Sequence, residues 1–519
     1  MKLTHRLQLL ITAICLVVLL LFPGALGSSG WNRTYQGEAM DLLYPTSVVQ
    51  TSDGGYAIAI SGFLRRVDNI GYQGHFTTSY DLELLKTNSN GETQWKRSYE
   101  KIEDPNHQTS TIYPYSDRFI IVQTADQGLA IAANTESEFW LVKFDSQGNV
   151  LWSKTYLQNI DYPSSCRLNS LIQTADLGFA LAGSALTSEG SNDFWLLKVN
   201  SQGNIQWSQT YNSGTYTTIN GDQYPCEDEA KSVIQTRDGA YVLVGSASLY
   251  RASTSSLVYA TWIVKTDNQG KQLWNKGFDL INVNDNGRFI IELNNGGFAI
   301  AGSENNNFCL LTIDSNRQLQ WSKIYSDMET QIVCGLVQLN DGGFAIAGTA
   351  GNGVSVNYAI TLLRVDTSGQ TTWTRNYHAN QNSTTISNDW AYGFIRTADG
   401  GYALVGSTQF GSQTHQDVFL VKTESLEDPP QSTTTTTTPT PSISEPSNSP
   451  NPSPTGPSPT QSTNTQTPNA SPTLVPNEII PDLTKTENQI ILIALAITIT
   501  VVLTIVVVRI RRRPKLKTQ

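Results

Sequence analysis

The chain has 519 residues, enough for two or three ordinary domains or one repeat array, with 15% charged residues and a formal net charge of −10. Its 39 glycines and the absence of long amphipathic helical stretches exclude a helical bundle and favour β structure. Setting aside two basic residues near the N-terminus and six near the C-terminus leaves 26 Lys and Arg against 44 Asp and Glu, a net −18 that disfavours nucleic acid as a partner.

Residues 1–27 read as a secretory signal peptide: Lys2 and Arg6 precede an apolar run from Leu7 to Phe22, and Ala25-Leu26-Gly27 supplies small residues for cleavage. Cys15 follows Ile14, which is too large for a lipoprotein signal. Residues 28–426 form the predicted ectodomain, opening on the strand-like Trp31-Asn32-Arg33-Thr34-Tyr35.

A four-strand unit then recurs. Its inner turn appears as Asp53-Gly54-Gly55, Asp126-Gln127-Gly128, Asp176-Leu177-Gly178, Asp238-Gly239-Ala240, Asn295-Gly296-Gly297, Asp341-Gly342-Gly343 and Asp399-Gly400-Gly401, seven copies in all. Asp or Asn followed by Gly accepts the positive φ of a tight hairpin. An outer turn spaced Asp/Asn, Gly, Trp follows: Asn88, Gly91, Trp95 in the first repeat and Asp145, Gly148, Trp152 in the second. The fifth copy has Arg317 in the Gly position, which predicts a distorted turn. The seventh copy ends at its third strand, Asp417 to Lys422, while an unmatched strand opens the mature chain at Trp31. Complementary partial repeats at the two ends predict a seven-bladed β-propeller closed by the N-terminal strand, an all-β fold without free sheet edges.

At Asp145 to Trp152 (D-S-Q-G-N-V-L-W) and Asp341 to Gly348 (D-G-G-F-A-I-A-G) the chain resembles the D-G-G-Y-x-x-x-G propeller-repeat proteins of archaeal and bacterial cell surfaces, from about Trp31 to Lys422. That resemblance implies a scaffold without a common catalytic motif. The outer turn is also similar to the quinoprotein-type repeat and to the sialidase Asp-box.

Residues 427–488 are dominated by Pro, Thr, Ser, Asn and Gln, including the run Thr433 to Thr438, and read as a disordered stalk. Residues 489–508 read as one transmembrane helix, because Ile490 to Val508 are 19 residues without a charge. The basic tail 509–519 places the C-terminus in the cytoplasm and the ectodomain outside, as a single-pass cell-membrane protein. Outside the cell, Asn32, Asn382 and Asn469 begin glycosylation sequons.

In a propeller both tight turns of each repeat fall on one face, so the long irregular connections share the other. Their length is concentrated in repeats one to four, which places a ligand face there, with His75, His107, Asp117, Asp222, Glu227 and Asp228 as candidates. The His spacings fit no metal motif, so no metal or cofactor is expected. Calcium would accept the carboxylate oxygens, but the 12-residue calcium-loop pattern is absent. Cys166 and Cys226, each soon after a Tyr-Pro pair, are candidates for a disulfide, whereas Cys309 and Cys334 lie within strands as small buried residues. The reading that follows is a non-enzymatic surface module for binding or adhesion, with a glycan, a polymer or a surface protein as partner. The alternatives are a structural component of the cell envelope and an extracellular hydrolase or lyase, though no nucleophile or metal-protease motif is present.

Overall fold

The computed structural model describes residues 30–425, apart from 37–41, 69–74, 100–101, 105–106, 113–117, 136–137, 158–165, 252–255, 279–284, 305–306, 327–328, 352–357, 381–386 and 411–415. The segments expected to be a signal peptide, stalk, membrane span and tail, with Asp117, Asn382 and Asn469, lie outside the described residues. Among the described residues there is no helix, and so none long and apolar enough to cross a membrane.

Strand β1 (Trp31–Tyr35) precedes blade 1, built from β2 (Leu42–Gln50), β3 (Tyr56–Asp68), β4 (His75–Thr87) and β5 (Thr93–Tyr99). A small hairpin, β6 (Ile102–Asp104) and β7 (His107–Ile112), leads to blade 2: β8 (Ile120–Gln123), β9 (Leu129–Asn134), β10 (Phe139–Phe144) and β11 (Val150–Tyr156). Blade 3 is β12 (Cys166–Gln173), β13 (Phe179–Leu186), β14 (Asn192–Val199) and β15 (Ile205–Tyr211). A second hairpin, β16 (Thr215–Thr217) and β17 (Gln223–Pro225), leads to blade 4: β18 (Asp228–Gln235), β19 (Tyr241–Arg251), β20 (Ser256–Thr266) and β21 (Gln272–Phe278). Blade 5 is β22 (Asp285–Glu292), β23 (Phe298–Glu304), β24 (Asn307–Ile313) and β25 (Leu319–Tyr325). Blade 6 is β26 (Glu329–Gln338), β27 (Phe344–Gly351), β28 (Ala359–Val365) and β29 (Thr371–Tyr377). Blade 7 takes β30 (Ser387–Arg396), β31 (Tyr402–Phe410) and β32 (Asp417–Lys422) from the end of the chain and β1 as its fourth strand, pairing Trp31 with Lys422 and Tyr35 with Val418.

Each blade is antiparallel, and the first strands meet in a closed cycle, β2 to β8, β12, β18, β22, β26, β30 and back to β2. Seven hydrophobic clusters fill the seven junctions between blades, in place of a single core. Third strands such as Phe139–Phe144 and Asp417–Lys422 are buried at every residue because both their faces meet a neighbouring blade. This explains their near-continuous apolar runs.

The repeat motif reads directly into contacts. In the first inner turn, Asp53 Oδ1 accepts from the Thr51 hydroxyl at 2.5 Å and the Gly55 amide at 3.0 Å, while buried Lys86 from the third strand reaches Asp53 Oδ2 at 2.8 Å. The pair recurs as Lys143–Asp126, Lys198–Asp176, Lys265–Asp238, Arg364–Asp341 and Lys422–Asp399. Blade 5 changes both members together, to Asn295 and the buried Thr312. A Gln at the end of the first strand ties blades together: Gln173, Gln235 and Gln50 each accept, at 2.8 Å, from the turn amide of the preceding blade at Ala125, Ala175 and Ala398.

On the rim, outer tyrosines donate to the carbonyl of the next blade's outer-turn Gly: Tyr99 to Gly148 at 2.6 Å, Tyr156 to Gly203 at 2.8 Å, Tyr211 to Gly270 at 2.7 Å and Tyr325 to Gly369 at 3.0 Å. Tyr35 of β1 makes the same bond to Gly91 at 2.7 Å, so the N-terminal strand occupies its expected structural role. The distorted turn expected at Arg317 does not occur. Arg317 takes the left-handed conformation of its glycine counterparts, with φ 67, and closes the same bond to the Asp314 carbonyl at 2.9 Å. Its guanidinium lies over Trp274 at 5.9 Å, and the blade supplying that Trp ends in Phe278, which has no hydroxyl to donate.

Candidate functional site

First strands begin at the irregular face and end at the D-G turns. The insertions therefore rise from the face that the sequence assigns to ligands. His75 and His107, expected in loops, instead open β4 and β7, paired with Asp68 and Asp104. Both loops have folded into hairpin extensions, since backbone pairing satisfies the polar groups that a long loop would leave to water.

The best-defined insertion joins blades 3 and 4. A turn closed by Thr218 N to Asp222 O at 2.9 Å, with Gly221 at φ 87, folds the segment into the β16–β17 hairpin, placing Tyr216 opposite Tyr224. Their rings stack at 5.7 Å, and Tyr250, from the long β19 arm, also stacks with Tyr216, at 6.2 Å and 12°. Tyr224 is 47% exposed and Ile219, at the tip, 67%. Asp222 stands exposed in the same turn. The result is a ladder of three tyrosines from two separate elements, which the sequence did not single out because Tyr250 lies far along the chain from Tyr216.

Glu227 and Asp228 hold this hairpin in place. Glu227 accepts from the Asn192 side-chain amide at 2.9 Å and backbone at 3.1 Å, tying the hairpin base to the β13–β14 connection. Asp228, 1% exposed, accepts from both the amide and the hydroxyl of Ser213 at 2.7 Å. Asn212 bridges to Glu189 at 3.0 Å and to the buried Asp193 at 3.2 Å. Burial, with Asp193 and Glu227 nearby, pushes the Asp228 carboxyl up to about 7, and burial raises Asp193 to about 6. Between about pH 4 and 7 the folded chain thus holds protons that the unfolded chain has released. This stabilisation is full at the acidic end of that window and is lost as pH rises through 7. Asp228→Asn, which keeps the shape and removes the charge, is expected to raise the melting point at pH 8, by on the order of 2 kcal/mol of stability, and to change it little at pH 5. Thermal unfolding at the two pH values checks this, and an equal effect at both would contradict it.

The expected Cys166–Cys226 bridge does not form; both thiols are free. Cys166 pairs with Ala185 on the flank of blade 3 facing Glu138 of blade 2, whereas Cys226 lies beside Ser213 and Ser248 at the junction with blade 4. Burial pushes the Cys166 thiol up to about 12, which keeps it protonated. Asn32 is exposed on β1, opposite Val421. Among the described residues no group of three or more His, Cys, Asp or Glu side chains is gathered as metal ligands.

A serine, an acid and a histidine do meet in blade 7, where Ser387 Oγ donates to Asp389 Oδ2 at 2.8 Å and His378 Nδ1 lies 3.2 Å from the same oxygen. Ser387 is 1% exposed and its hydroxyl is bonded to the carboxylate, so Asp389 anchors the start of β30 to the His378 segment.

No family model matches the chain, and no curated protein matches it. Solved structures that are similar include an ulvan lyase of polysaccharide lyase family PL25, at 7% identity and TM-score 0.47 over 77% of this chain and 96% of that one. The polysaccharide lyase Uly1 matches at 8% identity and TM-score 0.43, over 73% and 90% of the two chains. A protein of unknown function from Dyadobacter fermentans matches at 10% identity and TM-score 0.41, over 76% and 97%.

Proposed function

We propose that this chain is a cell-surface β-propeller, secreted and held by a single span, that acts as a non-enzymatic binding module for a glycan through its irregular face. The observation that carries this reading is the tyrosine ladder of Tyr216, Tyr224 and Tyr250. Aromatic faces pack against the apolar C–H faces of sugar rings, and a tyrosine keeps a hydroxyl for the sugar's polar edge. The acids beside it are engaged: Glu227 and Asp228 order the hairpin on which two of the rings stand, so the platform is stiff before a ligand arrives. The signal, the stalk and the charge asymmetry around Ile490 to Val508 support placing this face outside the cell.

The full-length chain, purified in detergent and applied to a glycan array, is expected to give saturable binding to a subset of glycans. Tyr224→Ala is expected to weaken that binding at least ~10-fold with an unchanged melting point, because the side chain is largely in water in the free protein. Undiminished binding by the variant would move the site elsewhere, and release of new reducing ends from any polysaccharide would make the protein an enzyme.

A further inference from the structure

The axis of the propeller carries a cavity chemically unlike the tyrosine ladder. In six of the seven blades the first strand has a β-bulge close to the irregular face, and the residue left out of the ladder pairing is Thr46, Asn169, Lys231, Arg288, Cys334 or Tyr392. A bulged residue is released from its neighbour and re-aimed. Thr46, Arg288, Cys334 and Tyr392 line one cavity of about 360 Å³, walled also by Tyr44, Arg118 and Phe289. The other two bulge residues are bonded into the same ring: Arg118 donates to Asn169 at 3.4 Å, Asn169 to Glu229 at 3.0 Å, and Lys231 lies 2.6 Å from Glu229.

The charges of this ring do not balance. Among the described residues Arg118, Lys231 and Arg288 are three cations around one carboxylate, Glu229, whose Oε1 is shared by Lys231 and Asn169. Among the described residues no hydrogen bond or ion pair holds the Arg288 guanidinium. Burial pushes the Lys231 ammonium down, Glu229 opposes this, and Arg288 and Arg118 push it down further, so the cations feel one another. Convergent like charges in a partly buried cavity cost stability, and they occur where an anion offsets that cost. The rest of the ectodomain is strongly acidic, so the cationic ring marks out this place.

We propose that the axial cavity binds a small organic carboxylate, with Arg288 and Arg118 gripping the carboxylate and Phe289, Tyr44 and Tyr392 enclosing an apolar or ring-shaped body. A guanidinium presents paired N–H donors that match the two oxygens of a carboxylate. The volume is at the lower end of small-molecule pockets, too small for a polymer to thread. This site is independent of the glycan reading of the irregular face.

The test is calorimetry on the full-length chain in detergent with benzoate and glucuronate as carboxylate probes, benzyl alcohol and glucose as uncharged counterparts, and inorganic phosphate as a free anion. Saturable binding of a carboxylate, weakened by salt and absent for its uncharged counterpart, is the expected result. Arg288→Gln is expected to lose at least ~10-fold in affinity while the unliganded variant melts no lower than the parent, because a repelling charge has gone. Arg288→Lys keeps the charge without the fork and falls between the two. Tyr224→Ala leaves carboxylate binding intact. No saturable binding of either carboxylate by the parent protein below ~10 mM overturns the proposal, as does retention of full affinity in both Arg288→Gln and Arg118→Gln. Phosphate binding as tightly as the best carboxylate overturns the assignment of an organic ligand.

Discussion

Removal of residues 31–35 is expected to lower the melting temperature by ~10 °C or more. The strand is five residues long, but it closes the ring. Trp31 packs edge-on against Tyr56 of blade 1 at 5.8 Å, and Tyr35 donates across the same junction to Gly91. Adding a Cβ at Gly91 would bring it within 2.5 Å of the Trp31 ring, a measure of how closely the two blades meet. Losing two aromatic side chains that are each partly buried costs about 1.5–3 kcal/mol apiece, and deletion also bares the backbone edge of β32 from Val418 to Lys422. A peptide spanning residues 30–36 added in excess should restore much of the loss by re-pairing with β32. Calorimetry of the truncated chain with and without the peptide checks both statements, with Asn32→Ala, on the solvent side of β1, as the neutral control. An unchanged melting point would mean that the ring is held closed without β1.

Gly183→Val is expected to be the most damaging single substitution, at about 4 kcal/mol or more. A Cβ at Gly183 would lie 1.8 Å from the Arg167 carbonyl oxygen and 2.7 Å from its carbon, both backbone atoms that cannot swing aside. The same approach occurs at Gly245, 2.0 Å from the Glu229 oxygen, and at Gly406, 1.9 Å from that of Trp390. In each case the first strand bulges beside the glycine, between Leu168 and Ser170, Ala230 and Ser232, or Ala391 and Gly393. The glycine makes room for the bulge, and the bulge turns Asn169, Lys231 or Tyr392 out of the ladder toward the axis. Gly183→Val should therefore also disturb the Arg118–Asn169–Glu229 chain of hydrogen bonds. Gly277→Ala, where a Cβ meets nothing within 4 Å, should melt like the parent. Denaturant unfolding of the two variants gives the comparison, and equal stabilities would show that the β12–β13 pair yields more readily than its backbone contacts imply.

The blade count, the strand order and the closure by Trp31–Tyr35 were legible in the sequence because they rest on local chemistry repeated seven times. An Asp, a left-handed position, a Thr two residues before the Asp and a Lys on the third strand specify a turn whatever surrounds it. Even where the motif departs from its pattern, the turn survives: Gln127, Leu177 and Arg317 adopt φ between 65 and 67 because the neighbouring bonds dictate it. The roles of the acids were not legible, since Asp222, Glu227 and Asp228 sit within seven positions of one another and look alike in one dimension. The fold leaves Asp222 at an exposed tip, spends Glu227 on Asn192 and buries Asp228 beneath Ser213.

The sequence by itself determined the all-β repeat and its ring, because hydrogen-bonded turns and period-two burial are properties of short segments. Only the tertiary structure decided what the ring presents. The tyrosine ladder joins rings from β16, β17 and β19, and the axial cavity takes one to three residues from each of several first strands spread between Tyr44 and Tyr392. A bulge has no sequence signature comparable to the D-G turn, and in blades 3, 4 and 7 the side chain of the first strand that leaves the ladder is set by how the glycine of the second strand lets the first strand buckle. Cys166 and Cys226 show the same limit: their similar local settings suggested a bridge, and the blade between them keeps the thiols apart.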